Sequence, residues 1–178
     1  SGAGRDKMIE DYIDAFPERA SDGRTYYDFT RLLSDKNGFD AAMEGFKGMF
    51  DREVFDAFVS TESYAGMFAG ALSQMLGKPL IPVKYEGGFP GTVVSEACHK
   101  TSGCTRVEMR PRCISPGTRV IVMADVLATG KTTSSIIRLV ESQGGTVVRI
   151  GYIAELTDHG ARKSKVLKGY PFECLATY

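Results

Sequence analysis

Apolar and polar positions change period along this chain in a way that predicts strands and helices taking turns. Asp56 to Ser60 (DAFVS) is short and apolar and suits a buried strand. Ala65 to Leu76 (AGMFAGALSQML) makes a small-residue helix closed by Gly77 and Pro79, and Leu80 to Lys84 (LIPVK) is the next strand. Strand, helix and strand joined by short links form a βαβ unit, which takes a right-handed crossover. Further on, the apolar run from Val120 ends at Asp125, Ser134 to Glu141 predicts a helix, Val147 to Glu155 a strand, and Phe172 to Ala176 a last strand. Upstream, Lys7 to Ala15 reads as a short amphipathic helix ending before Pro17, and Arg24 to Phe29 as a strand or extended arm after the Asp22-Gly23 turn. Phe39 to Phe50 repeats apolar residues at helical spacing, with Phe39, Ala42, Met43, Phe46 and Phe50 on one face. The pattern predicts the α/β class, a doubly wound, mostly parallel sheet flanked by helices. With no internal repeat or low-complexity linker, the 178 residues predict one domain, 1–178, large enough to bury a substantial core.

Charge and cysteine usage narrow the function classes. Twenty-two Lys plus Arg balance 22 Asp plus Glu, which argues against a chain built to coat nucleic acid or an anionic membrane. No apolar run approaches the roughly 20 residues that span a bilayer, and no signal peptide is visible, so the expectation is a soluble, cytoplasmic protein. Cys98, Cys104, Cys113 and Cys174 show no CxxC pair, and His99 and His159 stand apart from any acid or thiol at ligand spacing. Reduced thiols and surface histidines fit that pattern better than a metal site.

Candidate chemistry concentrates between Ala124 and Thr133 (ADVLATGKTT). A strand that ends in an acid and turns through Ala-Thr-Gly into a helix offers unpaired amides and a positive dipole end to an anion. Gly130, Lys131 and Thr132 match the close of a triphosphate P-loop, GxxxxGKS/T, but that pattern's first glycine is Asp125 here. A carboxylate there repels a pyrophosphate. It suits ribose hydroxyls instead, while the amides of Ala128 to Thr132 and the hydroxyls of Thr129, Thr132 and Thr133 suit one monophosphate.

The segment ADVLATGKTTSS resembles the phosphoribosyl-pyrophosphate (PRPP) signature of type I phosphoribosyltransferases, and its Ala-Thr-Gly centre is most similar to the adenine branch. The resemblance continues through FPERASDGRTYYDFTRLL, STESYAGMFAGALSQMLGKPLIPVKYEGGFPG, YIAELTDHGARK and YPFECL, so it covers nearly the whole chain. It implies transfer of ribose 5-phosphate from PRPP to adenine, giving AMP and pyrophosphate, with Mg2+ held mainly by PRPP rather than by protein ligands. It also implies a homodimer, small-molecule substrates only, and an N-terminal hood over residues 1–34 that contributes to base binding. By position, Ala128, Thr129, Gly130, Lys131 and Thr132 would cradle the 5-phosphate, and Asp125 would be the catalytic acid beside the ribose. Glu62, Ser63 and Lys84 would face pyrophosphate, and Thr25, Tyr26 and Tyr27 would contact the base, with Tyr26 at the stacking position.

Departures from the family pattern matter as much. Ala124 replaces the first acid of the signature, Lys131 its second loop glycine, and Tyr27 a common arginine. Tyr64 stands at an arginine position facing pyrophosphate, Gly88 at a lysine position, and Thr101-Ser102 where a loop over the site carries Glu-Tyr. Each lost charge-assisted contact costs roughly 1.5 to 3 kcal/mol when desolvated. Two readings follow: an active enzyme that compensates through Lys100, Arg106, Arg110 or Lys131, and a weakened paralogue that binds AMP or PRPP or partners an active homologue in a hetero-oligomer.

Overall fold

Successive side chains of the central strands go to opposite faces of one sheet, and each face meets its own helices. The computed structural model describes residues 8–20, 23–100 and 102–178. Among them the strands are β1 (Asp14–Phe16), β2 (Tyr26–Asp28), β3 (Ala57–Thr61), β4 (Leu80–Tyr85), β5 (Val94–Lys100), β6 (Gly103–Met109), β7 (Arg119–Leu127), β8 (Thr146–Glu155) and β9 (Phe172–Thr177). The α-helices are α1 (Thr30–Ser34), α2 (Lys36–Phe50), α3 (Tyr64–Leu76) and α4 (Lys131–Glu141), with 3-10 turns at Ile9–Tyr12 and Thr157–His159. The main sheet runs β5-β6-β4-β3-β7-β8-β9, while β1 and β2 form a separate two-stranded sheet. β4, β3, β7, β8 and β9 pair in parallel; β6 is antiparallel to both β4 and β5.

The period of two decides the layers. Phe58, Ile121 and Met123 face α2 and α3, packing with Phe46, Phe50, Phe68 and Leu72. Their neighbours Val59, Val120 and Val122 face α4, packing with Ile136, Leu139 and Val140. A sheet covered on both sides carries apolar residues at nearly every position, which is why DAFVS and the run from Val120 show no alternation. α2 begins before its apolar face does because the Asp35 carboxylate accepts the Asn37 and Gly38 amides at 2.9 and 3.2 Å.

The expected helix over Lys7 to Ala15 is not formed: only Ile9–Tyr12 turns, and Asp14–Phe16 is β1. Ile13 leaves the turn with extended backbone, and Asp14, paired with Asp28 in β1-β2, is drawn across to Arg31 at 2.7 Å. Lys7 lies outside the described residues. The antiparallel pair β5-β6 was not legible either. Cys98, Val107 and Met109 are its buried apolar positions, set among polar residues on an edge hairpin whose other side is largely exposed apart from Glu108.

Two glycines of α3 test the packing with opposite signs. A Cβ on Gly66 would lie 2.3 Å from the Thr61 carbonyl oxygen, whereas exposed Gly70 has nothing within 4 Å. Thermal unfolding of Gly70→Ala should show a gain of roughly 0.5 to 1 kcal/mol from helix propensity. Gly66→Ala should lose about 1 to 3 kcal/mol despite the same propensity gain.

Candidate active site

β3 has β4 on one side and β7 on the other, so the connections leaving the two central strands diverge and open a crevice at their carboxyl ends. Buried Ser60 of β3 donates its hydroxyl to the Met123 carbonyl of β7 at 2.8 Å, fixing the two strand ends beside one another. After β3 the chain turns through Glu62 and Ser63 into α3, where the Ser63 hydroxyl accepts the Gly66 amide at 3.3 Å. From β7, Asp125 reaches the same helix start and accepts the Ala65 amide at 2.7 Å. Burial pushes the Asp125 carboxyl above its ordinary range; the Ala65 amide, the Ser63 hydroxyl and the Tyr64 amide oppose that shift without cancelling it.

A cavity of about 700 Å³ opens there, and its wall brings together Glu62, Ser63, Lys84, Ala124, Asp125 and Thr132. Lys84 Nζ sits 3.1 Å from a Glu62 carboxylate oxygen and 4.9 Å from the Phe89 ring centroid. The turn after β4 is tied down by Glu108, 7% exposed, which accepts the Gly87 amide at 2.6 Å. Glu108 escaped the sequence reading because its strand did, and a single acid in a mixed segment carries no signal. Gly88 lines the cavity, but a Cβ there would lie 2.6 Å from Lys84 Cβ and 2.9 Å from the Tyr85 carbonyl oxygen. The turn is closed against any side chain at that position.

The phosphate-ready loop crosses between this cavity and a smaller one. Gly130 adopts φ +83°, a left-handed conformation that turns the chain into α4, and no side chain caps the helix. The first-turn amides of Lys131 and Thr132 therefore point out of an uncapped helix start. Beneath the loop, a Cβ on Gly130 would meet Leu167 at 3.3 Å. The 161–167 segment is anchored by Arg162, which grips Glu155, 2% exposed, through two hydrogen bonds of 2.8 Å. One expected ligand is spent elsewhere: Thr133 is 3% exposed and its hydroxyl lies 2.6 Å from that of Tyr152. Lys131 is exposed at the loop's edge.

The smaller pocket, about 270 Å³, is walled by Thr25, Tyr26, Tyr27, Tyr64, Asp125 and Ala128. Tyr26 is 44% exposed, and Tyr27 packs its ring 4.6 Å from that of Tyr178. Tyr64 turns away from the larger cavity and donates its hydroxyl to Asp28 at 2.8 Å. The Thr30 hydroxyl works to lower the Tyr64 pKa, but the Asp28 carboxylate and burial prevail and push it up to about 12. Among the basic groups, Arg106 bonds to Ser95 and Arg110 to the Thr92 carbonyl. Lys100 places its ammonium 3.5 Å over the ring of Tyr85, which lines the larger cavity. Ser102 is exposed in the β5-β6 turn, and Thr101 lies outside the described residues.

A mostly parallel sheet with an uncapped helix start and a half-buried acid at its central carboxyl ends is a type I phosphoribosyltransferase fold, and solved structures agree. That of the adenine phosphoribosyltransferase of Thermoanaerobacter pseudethanolicus superposes with a TM-score of 0.89 at 29% identity, covering 96% of this chain and 98% of that one. No family model matches the chain. The adenine phosphoribosyltransferase of Chlorobium phaeovibrioides is 34% identical over 164 residues, covering 91% of this chain and 93% of the relative. That of Jannaschia sp. is 30% identical over 172 residues, covering 97% and 96%. The chain belongs to the adenine phosphoribosyltransferase family.

The raised Asp125 pKa fixes a stability test. Between the unfolded value, 3.8, and the higher folded one, the native state holds more protons, so stability falls as pH rises through that window. Asp125→Asn keeps an acceptor for the Ala65 amide and removes the ionisable group. At pH 7 its melting temperature should equal or exceed the parent's, with any excess shrinking as pH is lowered towards 4. A large deficit at pH 7 would contradict this account of the site.

Proposed function

We propose that this chain transfers ribose 5-phosphate from PRPP to N9 of adenine, giving AMP and pyrophosphate in purine salvage. The observation that carries the reading is the position of Asp125 on the wall shared by the two cavities. The ribose then lies beside Asp125, with the base towards Thr25, Tyr26 and Tyr27 and the diphosphate towards Glu62, Ser63 and Lys84. The 5-phosphate rests on Ala128, Thr129, Gly130, Lys131 and Thr132, receiving amide hydrogen bonds and the α4 dipole.

The reaction needs no protein nucleophile. The anomeric C–O bond breaks and its electron pair leaves with pyrophosphate; the C–N9 bond forms on the opposite side, and the N9 proton is released to water. Positive charge develops on the ribose meanwhile, as in glycoside chemistry. Asp125 is the carboxylate placed to oppose it, held by the α3 amides before substrate arrives. Tyr26 offers an aromatic face to the purine, and its exposure leaves that face accessible.

Magnesium fits the donor set as a passenger of PRPP. Glu62 and Asp125 are carboxylates on the cavity wall, but no three His, Cys, Asp or Glu side chains among the described residues group as ligands. Such an ion supplies positive charge to the leaving diphosphate when bound to substrate oxygens. Residues 1–34 act as the hood within a single domain, with the two-stranded β1-β2 sheet separate from the main one. Met67 and Met75, 60% and 54% exposed on α3, give a second copy an apolar surface to cover in a homodimer. No helix among the described residues is long and apolar enough to cross a membrane.

A second reading has its own observation. Tyr64 spends its hydroxyl on Asp28, Gly88 admits no side chain, and Lys84 is already paired with Glu62, so the diphosphate end is poor in available cations. That favours a chain that holds AMP well and turns PRPP over slowly, alone or beside an active homologue.

One assay separates the two. Adenine, PRPP and magnesium should yield AMP, with guanine, hypoxanthine and xanthine as competing bases, and Asp125→Ala should lower kcat/KM about a hundredfold. AMP binding by calorimetry with no AMP formed at high enzyme concentration would leave only the second reading.

A further inference from the structure

Asp28 Oδ1 receives three donors from two parts of the molecule. The Thr30 hydroxyl approaches at 2.7 Å and the Thr30 amide at 3.3 Å from the same N-terminal segment, and the Tyr64 hydroxyl at 2.8 Å from the first residue of α3. The Tyr64 ring also meets Phe29 edge-on, with centroids 5.6 Å apart, and Phe29 is 1% exposed. Tyr64 and the β2 tyrosines lie on the wall of the same 270 Å³ pocket. The residue after Tyr64 gives its amide to Asp125. One turn of α3 thus grips the hood with one residue and the acid beside the ribose with the next.

We propose that Tyr64 is a positioning residue for the purine: it latches the hood to α3 through Asp28, holding Tyr26 and Tyr27 at the base pocket. This rests on the purine reading of that pocket. A hydrogen bond to an ionised carboxylate is about twice as strong as one between neutral groups, and this one joins segments 36 residues apart in sequence. Apart from Tyr64, the hood is held by Tyr12, Ile13, Phe29 and Leu32 in the core and by Tyr27 against Tyr178. These contacts fix its root and its outer edge, while the Asp28 bond fixes the part that borders the pocket. At this position the chain exchanges a cation for the leaving group against a tie that orders the base site. Tyr64 accordingly acts on base affinity and leaves phosphate affinity alone.

Tyr64→Phe removes the hydroxyl and keeps the ring on Phe29. Calorimetry should show AMP bound about tenfold more weakly by this variant, with ribose 5-phosphate unchanged within twofold. Turnover should show the adenine KM raised by a similar factor, with kcat and the PRPP KM unchanged within twofold. Asp28→Ala, which loses both Thr30 contacts as well, should bind AMP at least as weakly, and the double variant should be no weaker than Asp28→Ala, since the Tyr64–Asp28 bond is already gone in it. Amide exchange at Tyr26 to Asp28 should quicken in Tyr64→Phe, a readout that needs no ligand. Equal losses for AMP and ribose 5-phosphate, additive losses in the double variant, or unchanged exchange would overturn the latch. If the parent binds AMP no more tightly than ribose 5-phosphate, the purine reading fails, whereas quickened exchange would still report the tie.

Discussion

A half-buried carboxylate set against the first turn of a helix is the constraint around which this molecule is arranged. At the end of β7 desolvation works against the charge of Asp125, and the amides at the start of α3 work in its favour. That meeting requires β3 and β7 to be neighbours, their ends locked by Ser60 and Met123, and α3 to start within three residues of β3. Both faces of the sheet must be covered for the strands to remain that apolar. The two clusters around Phe58 and around Val122 are what hold the acid in place.

Around that acid the charges are distributed unevenly. The loop into α4 presents backbone amides and a helix dipole, which no side-chain replacement removes. The turn after β4 presents side chains, and there Lys84 leans on Glu62 while the neighbouring positions are a tyrosine turned away and a glycine with no room. Backbone-built binding tolerates divergence; side-chain-built binding records it.

Much of the architecture was legible because the elements that form it are two-sided or one-faced in a regular way. The α2 face of Ala42, Met43, Phe46 and Phe50 and the runs ending at Ser60 and Asp125 bury the residues their periods select. The N-terminal helix failed because Asp14 and Ile13 answer to partners far away in sequence, and β5-β6 because an edge hairpin needs few apolar residues. Among the candidate site residues, the motif singled out Asp125 and Thr132, which share the wall of the larger cavity, and Ala128, which lines the smaller one. Thr133 was indistinguishable from Thr132 as a hydroxyl; only the register of Tyr152 on β8 shows that it is taken. Tyr64's partner was equally invisible, since nothing local links it to Asp28.

The closed turn at Gly88 bears on how such a chain can change over time. A lysine, the residue the family pattern puts there, would drive its first carbon into Lys84 and the Tyr85 carbonyl. The turn would have to be rebuilt before the charge could return, and the rebuilt turn would have no value until the charge was present. Placing a cation there therefore takes at least two changes, the first of them without advantage. The turn sets a barrier that no single substitution at position 88 crosses, and variation at this edge of the cavity is steered to the residues around it.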